Sequence, residues 1–422
     1  MKSKRIVLLS LFIILITFMV IYGNAYLQSN QKMVFEDKEL EKRVRDFLDK
    51  SSGDIYQKEI ETLKELDLSS SKINNINQLA WFKGLENLDL KYTSIKDVSI
   101  LRNLKNLKML DLEETKVDDI SELRDLRKLT YLSLKNTMVK DLSPIKSLKN
   151  LESLKIGSLN SSLEDISVIK NLNKLKDLEI SNYAKDNLAD LNSLVNITRL
   201  WITNSNVNNI NNLDKLKDLE YLNLSFNNIS DISVLANNTK LKWLSLNDNR
   251  ISDLSSISSL KNLANLNLSG NELLKLNNIG NLTNLTTLLL GKNKISDISE
   301  LKKLKKLSIL GLGENNIEEV NDISALTTLS TLGLSYNKIS DISQLKNLTN
   351  LTELSVNNNN INDITMFNLN KIKTFYAEGN PLDNDSQIIL EKFKKDKAVR
   401  DKAESELSPA MKLRKQLFDN EQ

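Results

Sequence analysis

One spacing of aliphatic residues governs nearly the whole chain. In the stretch Leu285 to Leu304, LTTLLLGKNKISDISELKKL, apolar residues fall at Leu285, Leu288, Leu290, Ile295, Ile298, Leu301 and Leu304, with Asn293 between the two groups. Leu288 and Leu290 are two apart and share one face of a short strand. The later spacing of three fits a tight, 3₁₀-like return. No single helix or strand carries this pattern, whereas one coil of a solenoid does. The first apolar residue of the unit recurs at Leu63, Leu85, Leu107, Leu129, Leu151, Leu175, Ile197, Leu219, Leu241, Leu263, Leu285, Leu307, Leu329 and Leu351. Every step is 22 residues except Leu151 to Leu175, which is 24, so fourteen coils follow one another. A degenerate fifteenth comes at Ile372, Phe375, Ala377 and Asn380.

A lone coil cannot hold itself together. It buries about seven aliphatic side chains, each contributing roughly 1.5–3 kcal/mol. Ordering its residues costs about 1.5 kcal/mol each. Stacking completes the burial and pairs each strand with its neighbours in a parallel sheet. A fixed period with LxxLxLxxN is the leucine-rich-repeat signature. The expected architecture is therefore an α/β leucine-rich-repeat solenoid, in one elongated domain over residues 63–370.

The segments outside the coils have their own patterns. Residues 1–31 open with Lys2, Lys4 and Arg5, followed by the uncharged run Ile6 to Tyr22. This reads as an export signal. Cleavage would use Gly23 and Ala25 and release a chain starting near Tyr26. An uncleaved run would anchor the protein with the basic end inside and the repeats outside. The run is long for a signal core and near the short limit for a spanning helix, about 17 residues, and the anchor is favoured. Residues 32–62 place Phe35, Leu40, Val44, Phe47 and Leu48 on one helical stripe, which Gly53 ends. This is expected to be a helical cap over the first coil. Residues 371–394 combine the degenerate repeat with a helix that Asp385 or Ser386 can cap. That helix carries Ile388, Ile389, Leu390 and Phe393 against the last coil. Residues 395–422 form a charged tail broken by Pro409.

Two polar ladders run through the coils. Asp97, Asp119, Asp141, Asp165, Asp231, Asp253, Asp297, Asp341 and Asp363 each precede an apolar residue and then Ser or Thr. Repeating with the coil, they are expected to accept backbone N–H groups at the start of each return. The ninth position reads Asn227, Asn249, Asn271, Asn293, Asn315, Asn337, Asn359 and Asn380, but Ser71, Thr93, Thr115, Thr137 and Ser205 in earlier coils. A buried side chain there must bond to the backbone of the turn. Asn both donates and accepts, while Ser and Thr do less, so the N-terminal coils are expected to be the less rigid half. The coils at 151–196 depart from the pattern, and a local bulge is expected there.

Composition excludes much chemistry. The chain has no Cys and no His. That removes disulfides, thiolate metal sites, the Cys nucleophile and the commonest general base. No phosphate-binding loop, nucleophile elbow or metal-ligand cluster is written in the sequence. No catalytic residue, metal or cofactor is expected. With 58 basic and 55 acidic residues and a net charge of +3, nothing points to nucleic acid. An exported chain without Cys fits a Gram-positive surface protein.

The chain resembles the internalin-type leucine-rich-repeat proteins of Gram-positive bacteria. The resemblance rests on the 22-residue unit LxxLxLxxNxIxDIxxL, the N-terminal cap with GDIY, and the export signal, and covers roughly residues 33 to 382. It implies a right-handed solenoid with its parallel β-sheet on the concave face, short 3₁₀ or irregular turns on the convex face and a helical N-terminal cap. It also implies that the concave sheet binds protein partners on host or bacterial surfaces. No LPxTG-like sorting motif, immunoglobulin-like region or wall-binding repeat accompanies the coils.

The third and fifth positions of LxxLxLxxN point away from the core. Down the stack they place Tyr131, Arg199, Trp201, Tyr221 and Trp243 on the sheet face of the middle coils, including two of the three Trp. Such side chains are usual interface anchors, though they also pack across strands. Asp67, Asp89 and Asp111 form a secondary acidic ladder at the N-terminal end. It is either a solvated face or a site for a basic partner or cation. The expected function is a non-enzymatic cell-surface or secreted module that binds a protein in preference to a glycan. A monomer is expected. The alternative is a membrane-anchored scaffold or regulatory protein of the bacterial envelope.

Overall fold

Strand alternation and the 22-residue period together set the register. A computed structural model of the chain describes residue 17 and residues 31–158, 162–367 and 369–405. The chain divides into two compact units, residues 1–206 and 207–422. Unit one holds β1 (Glu65–Asp67), β2 (Asn87–Asp89), β3 (Met109–Asp111), β4 (Tyr131–Ser133), β5 (Ser153–Gly157), β6 (Asp177–Ser181) and β7 (Arg199–Thr203). They pair in chain order, all parallel. Unit two holds β8 (Tyr221–Asn223), β9 (Trp243–Ser245), β10 (Asn265–Asn267), β11 (Thr287–Leu289), β12 (Ile309–Gly311), β13 (Thr331–Gly333), β14 (Glu353–Ser355) and β15 (Thr374–Tyr376), again parallel and in order. Each sheet is open, and each coil returns through a short 3₁₀ segment such as Ser99–Asn103. The expected leucine-rich-repeat solenoid is the observed fold. Because sequence period and register coincide, Leu66 pairs with Leu88 and Leu88 with Leu110, and the leucines bury in unbroken rows.

The aspartates cap the returns. Asp97 Oδ1 accepts the N–H of Ser99 at 2.8 Å, and Asp141, Asp253 and Asp341 accept from Ser143, Ser255 and Ser343 at 2.8, 2.9 and 2.7 Å. Asp119, Asp165, Asp231, Asp297 and Asp363 make the same bond. Asn75, Asn187 and Asn209 substitute for Asp in three coils. The ninth-position ladders differ as their chemistry requires. Thr93 and Thr115 each donate one bond within their own coil, to Leu90 and Leu112 carbonyls at 2.6 and 2.7 Å. Asn271 donates to Leu268 in its own coil at 3.0 Å and to Leu246 one coil back at 2.9 Å. Its Oδ1 accepts the Ile251 N–H at 2.9 Å.

The eighth position holds a structural device that the leucine pattern conceals. Its residues lie in the left-handed region, among them Tyr92 at φ 57°, Phe226 at φ 58° and Tyr336 at φ 59°. Asn and Gly adopt this conformation most readily, yet three exposed aromatics hold it.

The irregular coils have a clear cause. β5, β6 and β7 each extend to five residues. At Gly157, φ is +97° and an added Cβ would lie 2.0 Å from the Ser181 carbonyl oxygen, so only glycine fits. In the next coil Tyr183 takes the ninth position in place of a small polar residue. It is buried, and its hydroxyl donates to Asp190 Oδ2 at 3.0 Å.

Both ends are closed by helix. At the N-terminus α1 (Lys38–Phe47) is capped by Asp37, which accepts from Glu39 and Leu40 at 2.8 and 3.0 Å. Leu40 and Val44 bury as expected, but Phe47 is exposed, and Met33, Ile55 and Ile60 complete the cap's core. The short α2 (Gln57–Thr62) follows. A Cβ at Gly84 would meet the Glu61 carbonyl oxygen at 2.1 Å, so cap and coil meet backbone to backbone. At the other end α3 spans Asn384–Ser405, running from the cap expected at 371–394 into the charged segment that follows it. Asp383, rather than Asp385 or Ser386, caps it by accepting the Ser386 N–H at 2.8 Å. The Ser386 hydroxyl instead accepts the Ile364 N–H at 3.0 Å. Leu390 and Phe393 seal the last coil, the Phe393 ring edge-on to Phe375 at 6.0 Å, while Ile388 faces solvent. Apart from Thr17 and Gln31, the segment 1–31 that was expected to direct export lies outside the described residues, as does the tail from 406 onward with Pro409. Among the described residues no helix is long and apolar enough to cross a membrane.

Candidate binding face

Each strand turns its third and fifth residues away from the buried leucines, and the seventh continues the alternation. In unit one this face is a network of charges. Asp67, Asp89 and Asp111 are register partners, as the sequence implied. Each is also tied to its own backbone, accepting the N–H of Ser69, Lys91 and Glu113 at 2.8, 3.0 and 2.9 Å. Burial opposes the charge of Asp67, but bonds from Ser69 outweigh it and hold the carboxyl below its usual range. Asp89 pairs with Lys91 at 2.9 Å, and Asp111 is buried and accepts the Tyr131 hydroxyl at 3.2 Å. The ladder is thus built into the strand ends.

Tyr131 on β4 lies half-buried under the Lys155 ammonium, 5.7 Å from the ring centre. Burial, and then the charge of Asp111, push its hydroxyl well above the ordinary phenol range. Arg199 and Trp201 share β7, three strands away from β4. At about 4.8 Å per strand this is roughly 14 Å, so Tyr131 does not join their cluster. Arg199 is exposed and reaches Asp177 at 3.8 Å. Burial pushes the Asp177 carboxyl up, with Arg199 pulling against it. Trp201 is half-buried and stands in register with Glu179.

The seventh position supplies residues that the pairwise reading of the third and fifth missed. Lys135 spans two strands to bind the buried carboxylate of Glu179. Burial works against the Lys135 charge, yet the bond and charge of Glu179 prevail and raise its pKa. Glu113 sits nearby, its carboxyl pushed up by burial. The signal was present, since the alternation runs one step past the sixth-position leucine.

In unit two, Tyr221 on β8 and Trp243 on β9 are register partners on adjacent strands. Tyr221 is exposed and Trp243 half-buried. Further along the same face Ser225, Ser245 and Asn247 form a hydrogen-bonded cluster, Ser225 Oγ lying 3.0 Å from Ser245 Oγ and 2.5 Å from Asn247 Oδ1. Within unit one Tyr131 thus stands apart from Arg199 and Trp201, and within unit two Tyr221 and Trp243 are neighbours. Among the described residues no group of acidic side chains is placed to hold a metal ion.

A family profile described as Leucine Rich repeats (2 copies) matches residues 83–125, 283–326 and 327–371. Among solved structures, an internalin, InlF, from Listeria monocytogenes is 31% identical, with a TM-score of 0.64. The match covers 81% of this chain and 95% of InlF. The chain belongs to the internalin-like leucine-rich-repeat proteins. A leucine-rich-repeat protein of Leptospira interrogans shares the fold at 24% identity and TM-score 0.65, over 80% of this chain and 95% of its own. The functional domain of InlJ from Listeria monocytogenes does so at 21% identity and TM-score 0.65, over 82% and 80%. That domain includes a cysteine ladder, whereas this internalin-like chain has no Cys and stacks Asn, Ser and Thr at its ninth position. No curated protein is significantly similar to the chain. Stacked repeats of this kind present extended surfaces to partners, and this internalin-like chain is a protein-interaction module.

Proposed function

We propose that the chain is a non-enzymatic module, displayed on the cell surface or secreted, that recognises a protein partner through the exposed face of its sheets. One observation carries the reading. Two of the three Trp in the chain stand on wet sheet faces, each beside an exposed side chain of interface type, Arg199 with Trp201 and Tyr221 with Trp243. A sheet gains little from a large aromatic whose face stays in water, whereas a partner that completes its burial gains much. The family membership supports the same reading.

The test is partner capture by full-length protein carrying Trp201→Ala or Trp243→Ala. Each variant should melt cooperatively near the parent and capture at least tenfold less partner from host-surface or envelope extracts. Capture equal to the parent by both variants would remove the claim.

We further propose that the basic start and apolar run Ile6 to Tyr22 export the chain and hold the repeats outside the membrane. A regulatory role at the bacterium's own envelope is then the second reading. Fractionation with intact mass decides: full-length product in membranes supports the anchor, and a product beginning near Tyr26 in the medium supports release.

A further inference from the structure

Lysines recur on the returns of this chain, and in unit two a dense run of them is tied down. In and just after the return Ser299–Lys303, Lys302 pairs with Asp322 at 3.3 Å and Lys303 with Glu300 at 2.6 Å. Lys305 donates to the Ala325 carbonyl at 3.0 Å and Lys306 to Asn284 Oδ1 at 2.7 Å. The returns Ser121–Asp125, Ser143–Ser147 and Ser167–Asn171 of unit one are different. Two adjoining clefts of about 370 and 320 Å³ lie between them. Both fall within the size range of small-ligand sites, about 300–1,000 Å³. Arg124, Lys146 and Lys149 line the first cleft, and Lys140, Lys146 and Lys170 line the second. Lys146 therefore stands on the ridge that the two clefts share.

The charge gathered here is not cancelled. All five cations are exposed. The pairs that bridge the preceding coils, Arg102 with Glu122 at 3.8 Å and Lys105 with Asp125 at 3.4 Å, have no successor among the described residues of these clefts. Arg124 donates to the Ser121 carbonyl at 2.6 Å and Lys149 to the Asn171 carbonyl at 3.0 Å, which steadies both side chains and neutralises neither. Two carboxylates line the second cleft, and both are engaged as caps. Asp141 accepts the N–H and the hydroxyl of Ser143 at 2.8 and 2.9 Å, and Asp165 accepts the Ser167 N–H at 2.8 Å. Lys170 acts on Asp165 only at longer range. Five cations against two carboxylates leave a local surplus of three, as large as the +3 of the whole chain. Gathered like charges repel one another and attract a counter-ion of opposite sign.

The lining also selects among anions. Four of the five cations are Lys, which meets phosphate as a point charge, whereas a planar carboxylate is matched best by the Arg fork. Among the described residues no aromatic side chain lines either cleft, so a base or a sugar ring has no face to stack on. We infer that the two clefts bind a linear phosphate polymer through its charged backbone. Lys146 serves both clefts, flanked by Arg124 and Lys149 in one and by Lys140 and Lys170 in the other, so phosphates of a single chain occupy adjoining clefts. This site lies on the returns, and goes beyond the sheet-face reading above.

The test is titration of full-length protein into fluorescently labelled short-chain inorganic polyphosphate, followed by anisotropy over a series of salt concentrations. Binding should saturate and weaken steeply with salt, as counter-ion release requires. Lys146→Gln combined with Lys170→Gln should melt with the parent, weaken binding at least tenfold and flatten the salt slope. Lys146→Arg keeps the charge and should keep the binding. Lys305→Gln combined with Lys306→Gln removes two cations that are already tied down, and should change nothing. No saturable binding, or equal weakening by the two double variants, overturns the site. Equal binding of polyglutamate of the same charge assigns the clefts to an acidic peptide. Binding to phosphatidylglycerol vesicles without binding to polyphosphate assigns them to a membrane surface. Either result overturns the polymer. Trp201→Ala and Trp243→Ala leave both clefts intact, so protein capture and polyphosphate binding are read independently.

Discussion

Asn249 reaches back a full coil to Ile229, whose N–H its Oδ1 accepts at 3.0 Å, while its Nδ2 donates to the Leu224 carbonyl at 2.9 Å. Removing this side chain leaves the buried Ile229 N–H without a partner and takes one of two donors from the Leu224 and Leu246 carbonyls, which Asn227 and Asn271 still serve. An unpaired buried group costs about 1–3 kcal/mol, and each lost bond about 0.5–1.5 kcal/mol. Asn249→Ala should therefore lower stability by roughly 2–4 kcal/mol in urea unfolding. Thr115→Val deletes a single bond within one coil and should cost about 0.5–1.5 kcal/mol. Equal losses would show that the ladder's inter-coil bonds contribute nothing extra.

The capping aspartates make the fold acid-sensitive. Backbone and hydroxyl bonds from Ser99, Ser143, Ser299 and Ser343 hold Asp97, Asp141, Asp297 and Asp341 below the usual carboxylate range. A lowered folded-state pKa contributes stability that is fully present above the unfolded value, about 3.9, and is lost as pH falls through the folded value. Thermal unfolding followed from pH 7 to 2 should show a steep loss below about pH 4. Replacing several of these Asp by Asn, which accepts without titrating, should flatten that slope.

Lys135 and Glu179 should fail separately and survive together. Glu179→Gln or Lys135→Met alone strands a partly buried charge, at about 1–3 kcal/mol. The double variant removes both charges and should cost less than the sum, with a coupling of at least about 0.5 kcal/mol in a double-mutant cycle. Strict additivity would mean that the pair makes no net contribution.

The C-terminal seal should open locally. Phe393→Ala removes the ring against Phe375, and core Phe→Ala changes cost about 3–5 kcal/mol. Because coils contact only their neighbours, hydrogen exchange should accelerate in β14, β15 and α3 and stay unchanged in β8 to β10. Uniform acceleration would contradict nearest-neighbour stacking.

The period of the leucines was enough to place every strand, the core rows and the capping Asp, because each depends on spacing within one repeat. What stayed hidden depends on contacts between repeats or on backbone geometry. Phe47 and Ile388 look like core residues by type, but each lies on the solvent side of its helix end, away from the buried Leu40 and Val44 or Leu390 and Phe393. The Lys135–Glu179 pair joins residues two coils apart, beyond any local pattern. Tyr183 replaces a small polar residue at the ninth position and sends its hydroxyl to Asp190 in the return of its own coil. The left-handed eighth position has no residue signature at all, since Tyr92, Glu114, Lys292 and Asn358 all adopt it. At the candidate face, the aromatic positions were legible from alternation.

The asparagine ladder makes length a quantised property of unit two. Asn293 donates to Leu268 one coil back and to Leu290 in its own. Excising residues 250–271 would bring Leu246 to the place of Leu268 and offer Asn293 a chemically identical carbonyl. Shorter deletions would shift every donor out of phase with its acceptor. Such a scaffold can be lengthened or shortened only by whole coils, each step moving whatever the face carries by one strand spacing, about 4.8 Å.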